Sequence, residues 1–330
     1  MQTRHLGRTG PTVSALGLGA MGMSGMYGPA DEAESVATVH AALDAGITLI
    51  DTGDFYGMGH NELLVRDALR GRRREDVVLS VKFGAQRAPD GAWLGFDARP
   101  SAVKTWLSYT LTRLGTDHVD VYRPARLDPA VPIEDTVGAI AELVEAGYVR
   151  HVGLSEVGAA TLRRAAAVHP ICDLQIEYSL VSRGVEAEIP PVARELGIGV
   201  TAYGVLSRGL LSGHWSPERR LGRDFRAGSP RFQGENLRRN LELVESLRAV
   251  ADGLGVTVAQ AAVAWVAARG TDVVPLVGAR RRDSLAESLA AADLKLAPED
   301  LAAVEAAVPA DAVAGDRYPQ PQMGMLDSER

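Results

Sequence analysis

The sequence predicts an α/β protein: a (β/α)8 TIM barrel with an N-terminal β-hairpin and a long loop plus an extra helix before the seventh barrel helix. Three observations point there. Eight short apolar runs are spaced along the chain, longer amphipathic segments follow them, and 330 residues is a length at which such barrels form as one unit. Parallel strands need crossover connections, and a helix after every strand makes closure into a barrel the economical arrangement, with an open doubly wound sheet as the rival. The chain is therefore read as a single barrel domain spanning residues 1–330.

A hairpin is expected first, from residues 2–7 and 12–16 joined by Arg8-Thr9-Gly10-Pro11. The strand candidates are Leu16–Ala20, Leu49–Thr52, Val77–Lys82, Val119–Tyr122, His151–Leu154, Leu174–Glu177, Gly199–Ala202 and Val273–Val277. Asp31 opens a helix that Gly46 closes, and Pro132-Ile133-Glu134-Asp135 opens one that Gly147 closes. Further helices are expected at 61–70, 100–114, 158–167, 185–196, 257–269 and 283–291. The alternation breaks after Ser207, where a Gly/Arg/Ser/Pro-rich loop, Gly222–Gly234, precedes an extra helix, Asn236–Gly253. Long loops after barrel strands form the active-site rim, so this one is expected to cover a bound ligand. Ala297-Pro298-Glu299-Asp300 resembles a helix start, and the last residues of the tail are expected to be loose.

Composition excludes several functions. Basic residues number 35 and acidic residues 42, a net charge of −7, and no long basic tract with interleaved aromatics occurs, which argues against nucleic acid as a partner. Cys172 is the only cysteine, so neither an intrachain disulfide nor a thiolate metal cluster is expected. The opening residues lack the apolar run of a signal peptide and no stretch is apolar enough to span a membrane; a cytoplasmic protein with no membrane partner is the expectation.

The stretch Ile50-Asp51-Thr52-Gly53-Asp54-Phe55-Tyr56-Gly57 falls where the second strand ends, and barrel enzymes place their chemistry at that end. Lys82 ends the third strand on the same rim. A lone lysine in an apolar barrel mouth is costly, and a carboxylate on the neighbouring strand, Asp51, would offset the cost. A cation beside a phenol favours phenolate, so Lys82 is expected to lower the Tyr56 pKa towards values useful for proton transfer. Taken singly, Asp51 reads as a turn former, Lys82 as a solvated cation and Tyr56 as packing. Together at matching strand ends, the three read as a catalytic set.

These residues resemble the aldo-keto reductases, whose members carry an Asp-Thr-Ala-x-x-Tyr-Gly signature and a lysine ending the third strand. Similarity runs from Arg4-His5-Leu6-Gly7-Arg8-Thr9-Gly10 to Val274-Pro275-Leu276-Val277-Gly278-Ala279-Arg280-Arg281. The resemblance implies NADPH as hydride donor and a small aldehyde or ketone as partner. It implies cofactor contacts from Ser155, from Gln175, from Tyr203 stacked on the nicotinamide, and from Gly204, Leu206 and Arg208 around the diphosphate. Gly278, Arg280, Arg281, Ser284, Glu287 and Ser288 resemble the segment holding the adenosine and its 2′-phosphate, where arginines favour NADPH over NADH. Glu156 and Ser288 each stand where the family usually has asparagine.

One position departs from the family pattern more sharply. Where many relatives carry a histidine after the fourth strand, Asp120-Val121-Tyr122-Arg123-Pro124-Ala125-Arg126-Leu127-Asp128-Pro129 places Ala125. Losing that side chain widens the pocket beside Tyr56, whose expected lining is Tyr27, Trp93, Arg123 and Ala125. Arg123 is the substitute to test, while Arg126, which matches a family arginine, is read as structural. Three functions remain open at this point: reduction of a carbonyl, enone or imine with Tyr56 as acid; an NADP(H)-binding sensor or accessory subunit with little turnover; and a barrel lyase or isomerase using the arginine-rich phosphate site.

Overall fold

The computed structural model describes residues 1–216, 218–222 and 224–329; Arg223, within the long loop singled out above, lies outside them. A short antiparallel hairpin, β1 (Thr3–His5) with β2 (Thr12–Ser14), precedes the barrel. The barrel strands are β3 (Gly17–Gly19), β4 (Leu49–Gly53), β5 (Val78–Phe83), β8 (Val119–Pro124), β9 (Val149–Ser155), β10 (Ile171–Glu177), β11 (Gly199–Tyr203) and β12 (Val273–Gly278). They pair in parallel, each with its successor in this order, and β12 pairs with β3 to close the ring. The eight expected strands are therefore the eight observed ones, and the open sheet is excluded by the β12–β3 pairing. Not expected was a second hairpin inserted at the rim, β6 (Ala85–Arg87) with β7 (Trp93–Phe96).

The helices end where the sequence chemistry stops them. Asp31 caps α1 (Glu32–Asp44) by accepting from the Glu34 amide, and Thr257 with Gln260 forms a capping box on the helix Val258–Ala267. The extra helix, Gly234–Gly253, packs against a tail helix, Pro298–Ala307. Helix faces and strand exteriors share one core, in which residues such as Val39, Leu64, Val103, Val137, Leu162 and Trp265 are fully buried. Each such side chain contributes roughly 1.5–3 kcal/mol relative to exposure. Among the described residues no single helix is long and apolar enough to cross a membrane.

The barrel interior is polar, and this positions the site. Side chains alternate in and out along each strand, so Asp51, Ser80, Lys82, Arg123, Asp173, Gln175 and Thr201, all buried, converge on the axis. Arg123 Nη1 lies 3.1 Å from Asp173 Oδ2, and Arg123 Nη2 donates to Ser80 Oγ at 2.9 Å. Ser80 passes the contact on, donating to Asp51 Oδ2 at 2.9 Å. Two cations and two carboxylates thus cancel inside a closed ring, the condition under which buried charge is tolerable. Gly153 makes the room: a Cβ there would stand 2.7 Å from Asp173 Oδ1 and 2.9 Å from Val121 Cγ1.

Candidate active site

Register places the catalytic candidates together. Gly53 on β4 faces Lys82 on β5, and Lys82 faces Arg123 on β8, at the ends where the strands run out. Lys82 Nζ donates to Asp51 Oδ1, and Asp51 Oδ2 accepts from Ser80 and, at 2.7 Å, from the Gln175 amide. Tyr56 opens the short turn Tyr56–Gly59 that follows β4, and Lys82 Nζ sits 5.1 Å from the centre of its ring. Phe55 packs edge-on against Tyr56 at 4.7 Å, and Trp93, carried in by the rim hairpin, packs edge-on against Phe55 at 6.3 Å.

The electrostatics of Tyr56 run opposite to the expectation. Burial pushes its pKa well above the ordinary tyrosine value and the Asp51 charge adds to the rise, while the Arg126 charge opposes them. The Lys82 charge is spent on Asp51, so it does not lower the phenol as a free cation would. Burial also lowers the pKa of Lys82 itself, against the pull of Asp51. Tyr56 is therefore protonated across the neutral range.

Two further expectations need correction. Arg123, read as a pocket wall, has no exposed surface at all; it belongs to the interior pair with Asp173, beneath the mouth. The reason is the strand period: Arg123 points to the axis one layer down, whereas Ala125 and Arg126 come after the strand ends at Pro124. The tail, expected to be loose, is packed down. Leu326 is buried, and Asp327 accepts from the Gly158 amide at 2.8 Å.

That tail brings Arg317 and Tyr318 into the mouth, two residues the sequence reading missed. Arg317 donates to both oxygens of Glu156, at 2.8 and 2.6 Å, and reaches Glu177 at 3.3 Å. Glu156 is fully buried in a left-handed conformation, φ 55°, and also accepts from Tyr203 Oη at 2.7 Å and Ser328 Oγ at 2.6 Å. Arg208, assigned to a diphosphate, instead donates to Glu177 Oε2 at 3.0 Å and to the Arg317 carbonyl at 2.6 Å. The long loop also contributes as expected of a rim: Arg226 pairs with Asp224 and lies over the Tyr27 ring, and Arg231 reaches Glu177 at 3.4 Å.

The remaining candidates are distributed as follows. Ser155 and Gln175 are Cα partners at the ends of β9 and β10. Tyr203 ends β11, half-buried, and Gly204, Leu206 and Arg208 turn away from it, with left-handed φ at Gly204 and Arg208. Gly278 is exposed at the end of β12, and Arg281 is exposed at the start of the helix Arg282–Leu289. Arg280 donates to the carbonyls of Tyr27, Gly28 and Pro29. Ser284 is half-buried, Ser288 is buried, and Glu287 lies 3.5 Å from His214. Tyr27 is half-buried over the mouth, its pKa pushed up to about 12 chiefly by burial.

The model of the Aldo/keto reductase family matches residues 15–309. A relative named probable aldo-keto reductase 1, from Glycine max, is 41% identical over 321 residues, covering 96% of this chain and 92% of its own. The chain belongs to the aldo/keto reductase family. Membership implies NAD(P)H-dependent oxidoreductase chemistry on carbonyl compounds. Among solved structures of the family, the glycerol dehydrogenase of Gluconobacter oxydans superposes with a TM-score of 0.84 at 28% identity, over 92% of this chain and 94% of that one. The holo form of an aldo-keto reductase from Bacillus halodurans gives a TM-score of 0.79 at 28% identity, over 94% and 97%.

The residues present fit a nicotinamide cofactor in one telling respect. The hydroxyls of Ser155 and Ser207 are buried yet have no hydrogen-bond partner among the described residues. A buried hydroxyl without a partner carries a desolvation cost that a ligand group would offset. Glu156 does not fit the amide-binding role of the asparagine it replaces, because both of its oxygens are committed to Arg317.

Proposed function

We propose that the protein reduces a small aldehyde or ketone with NADPH, using Tyr56 as the proton donor. The observation that carries this reading is the buried Asp51–Lys82 pair against the Tyr56 ring at adjoining strand ends. The cofactor would supply a hydride to the carbonyl carbon. Tyr56 Oη would give its proton to the carbonyl oxygen as negative charge develops there. Its high pKa keeps that proton in place until it is needed, which suits the reductive direction. Asp51, itself held by Ser80 and Gln175, fixes where Lys82 points, 5.1 Å from the centre of the Tyr56 ring.

Ser155 and Ser207 would hold the cofactor through their unpartnered hydroxyls, with Tyr203 under the ring and Gln175 beside Ser155. Arg281, exposed at a helix start, is the cation available to a 2′-phosphate, and this supports NADPH over NADH. Arg280 is spent on backbone carbonyls, so this preference rests on Arg281.

The test is loss of NADPH absorbance with a panel of aldehydes and ketones. Tyr56→Phe should lower turnover by at least about 100-fold with cofactor affinity retained, the usual scale of a lost general acid. Turnover of that variant at the wild-type rate refutes the role. A slow NADP(H)-binding sensor is the second reading, favoured by the tail packed into the mouth, with Arg317 3% and Tyr318 9% exposed. Tight NADPH binding without turnover across the panel would select it.

A further inference from the structure

Among the described residues, the buried cations of the barrel and its mouth each have a carboxylate at hand, whereas half-buried Arg126 beside them does not. Lys82 has Asp51, Arg123 has Asp173, Arg317 has Glu156, Arg208 and Arg231 share Glu177, and Arg226 has Asp224. Arg126 has none within ion-pairing distance among the described residues. Its guanidinium, which offers five N–H donors, donates to the Ala125 carbonyl at 2.6 Å and to Tyr318 Oη at 3.3 Å. The carboxylate that acts most strongly on it is Glu156, already clamped by Arg317, and the phenols of Tyr203 and Tyr318 stand beside it.

Burial works against the Arg126 charge, and what offsets it is the surrounding field of Tyr203, Tyr318 and Glu156 rather than an ion pair; a ligand carboxylate would supply that pair. Position makes the ligand the substrate. Arg126 directly follows Ala125, its charge acts on Tyr56, and it is half-buried, so a small molecule can reach it. Tyr318, delivered by the tail, holds one edge of the guanidinium and leaves other donors free.

We infer that Arg126 is the anion anchor of the substrate pocket and that the preferred substrates are carbonyl compounds bearing a carboxylate, such as oxo acids. This deepens the proposed reduction and rests on it. The carboxylate would be gripped by charge-assisted hydrogen bonds, and the free carbonyl would be left to Tyr56. It turns an arginine that reads as structural from sequence into a specificity determinant.

The experiment compares kcat/KM with NADPH for matched pairs differing only in charge: glyoxylate, 4-oxobutanoate and 4-carboxybenzaldehyde, each against its methyl ester. At least one acid should exceed its ester by roughly 10- to 100-fold in the wild type, the range of hydrogen bonds to a charged group. In Arg126→Gln that ratio should collapse towards one, chiefly through KM, and Arg126→Lys should restore part of it. Using the ratio cancels any influence of Arg126 on Tyr56, which would change acid and ester alike. Calorimetry of the NADP complex with benzoate and benzamide gives a readout independent of turnover: benzoate should bind the wild type at least 10-fold more tightly than Arg126→Gln, and benzamide should not distinguish them. Benzoate binding that depends on Arg126 without reduction of any carbonyl would sink the proposed reduction while sparing the anchor. Acid-to-ester ratios near one throughout, or ratios unmoved in Arg126→Gln, together with benzoate binding indifferent to Arg126, overturn it.

Discussion

Replacing Arg317 with methionine should be the most damaging single change in the tail. Arg317 is 3% exposed and gives two charge-assisted hydrogen bonds to Glu156, at 2.8 and 2.6 Å. Its contact with Glu329, 2.8 Å away, lies at a rim where that carboxylate is 37% exposed, and such pairs add only about 0–1 kcal/mol. Removing the guanidinium strands Glu156, which has no exposed surface and keeps only the Tyr203 and Ser328 hydroxyls besides the Glu177 amide. Breaking one side of a buried pair costs about 3–5 kcal/mol, and that is the expected loss for Arg317→Met.

Glu156→Gln should cost less, because Arg317 keeps Glu177 and Glu329, and the double variant should cost clearly less than the sum, since no buried charge is then unpaired. Urea unfolding of the four proteins at neutral pH measures the coupling, expected at about 1.5 kcal/mol or more. The pH dependence supplies a sign. Burial alone would raise the Glu156 pKa, but the charge and hydrogen bonds of Arg317 outweigh it and hold the carboxylate well below its ordinary range. A carboxylate depressed in the folded state contributes stability above its unfolded pKa of about 4.3 and loses it as pH falls through the folded value. The gap between wild type and Arg317→Met should therefore narrow below about pH 4. A loss under about 1 kcal/mol, or strict additivity in the double variant, would refute the coupling of Arg317 to Glu156.

Two further outcomes follow from orphaned polar atoms. Asp54 is buried with Oδ1 unpartnered, and burial, with the nearby Glu62 charge, pushes its pKa up to about 8. It is then protonated in the folded state and ionised in the unfolded state between about pH 4 and pH 8, so it costs stability as pH rises through that window. Asp54→Asn should become progressively more stable than wild type from pH 5 to pH 8, by up to about 1.4 kcal/mol per unit, in thermal unfolding with activity followed in parallel; a flat difference would contradict the raised pKa. Ser155→Ala should leave stability within about 0.5 kcal/mol, since its hydroxyl has no protein partner, while weakening NADPH binding roughly 10-fold in a fluorescence titration. Unchanged affinity would remove Ser155 from the cofactor site.

The barrel was legible in the sequence because it is written locally. Apolar runs such as Leu49–Gly53 and Val149–Ser155, each followed by a capped amphipathic segment, leave few alternatives once crossovers must be parallel. The Asp51, Tyr56 and Lys82 cluster was legible for the same reason: each stands at the end of a recognisable strand, and neighbouring parallel strands end side by side. What the strands enclose was not legible. Arg123 and Ala125 are two residues apart, yet one joins an internal ion pair with Asp173 and the other ends at the mouth, a difference fixed by where β8 stops and by a partner 50 residues away.

The tail shows the limit most clearly. Nothing in the local pattern around Arg317 distinguishes it from a solvated arginine, and its partner Glu156 is 161 residues distant. Likewise, the pairing of Lys82 with Asp51 was visible in the sequence, but that Tyr56 is left with a raised pKa depends on burial and distances. The amino-acid order by itself determined the barrel and the family signature that carries Asp51, Tyr56 and Lys82. Only the tertiary structure decided which cations are paired, because pairing between strand ends and a returning tail is a property of space and not of sequence separation. Arg126, half-buried beside the paired cations, has no carboxylate partner among the described residues.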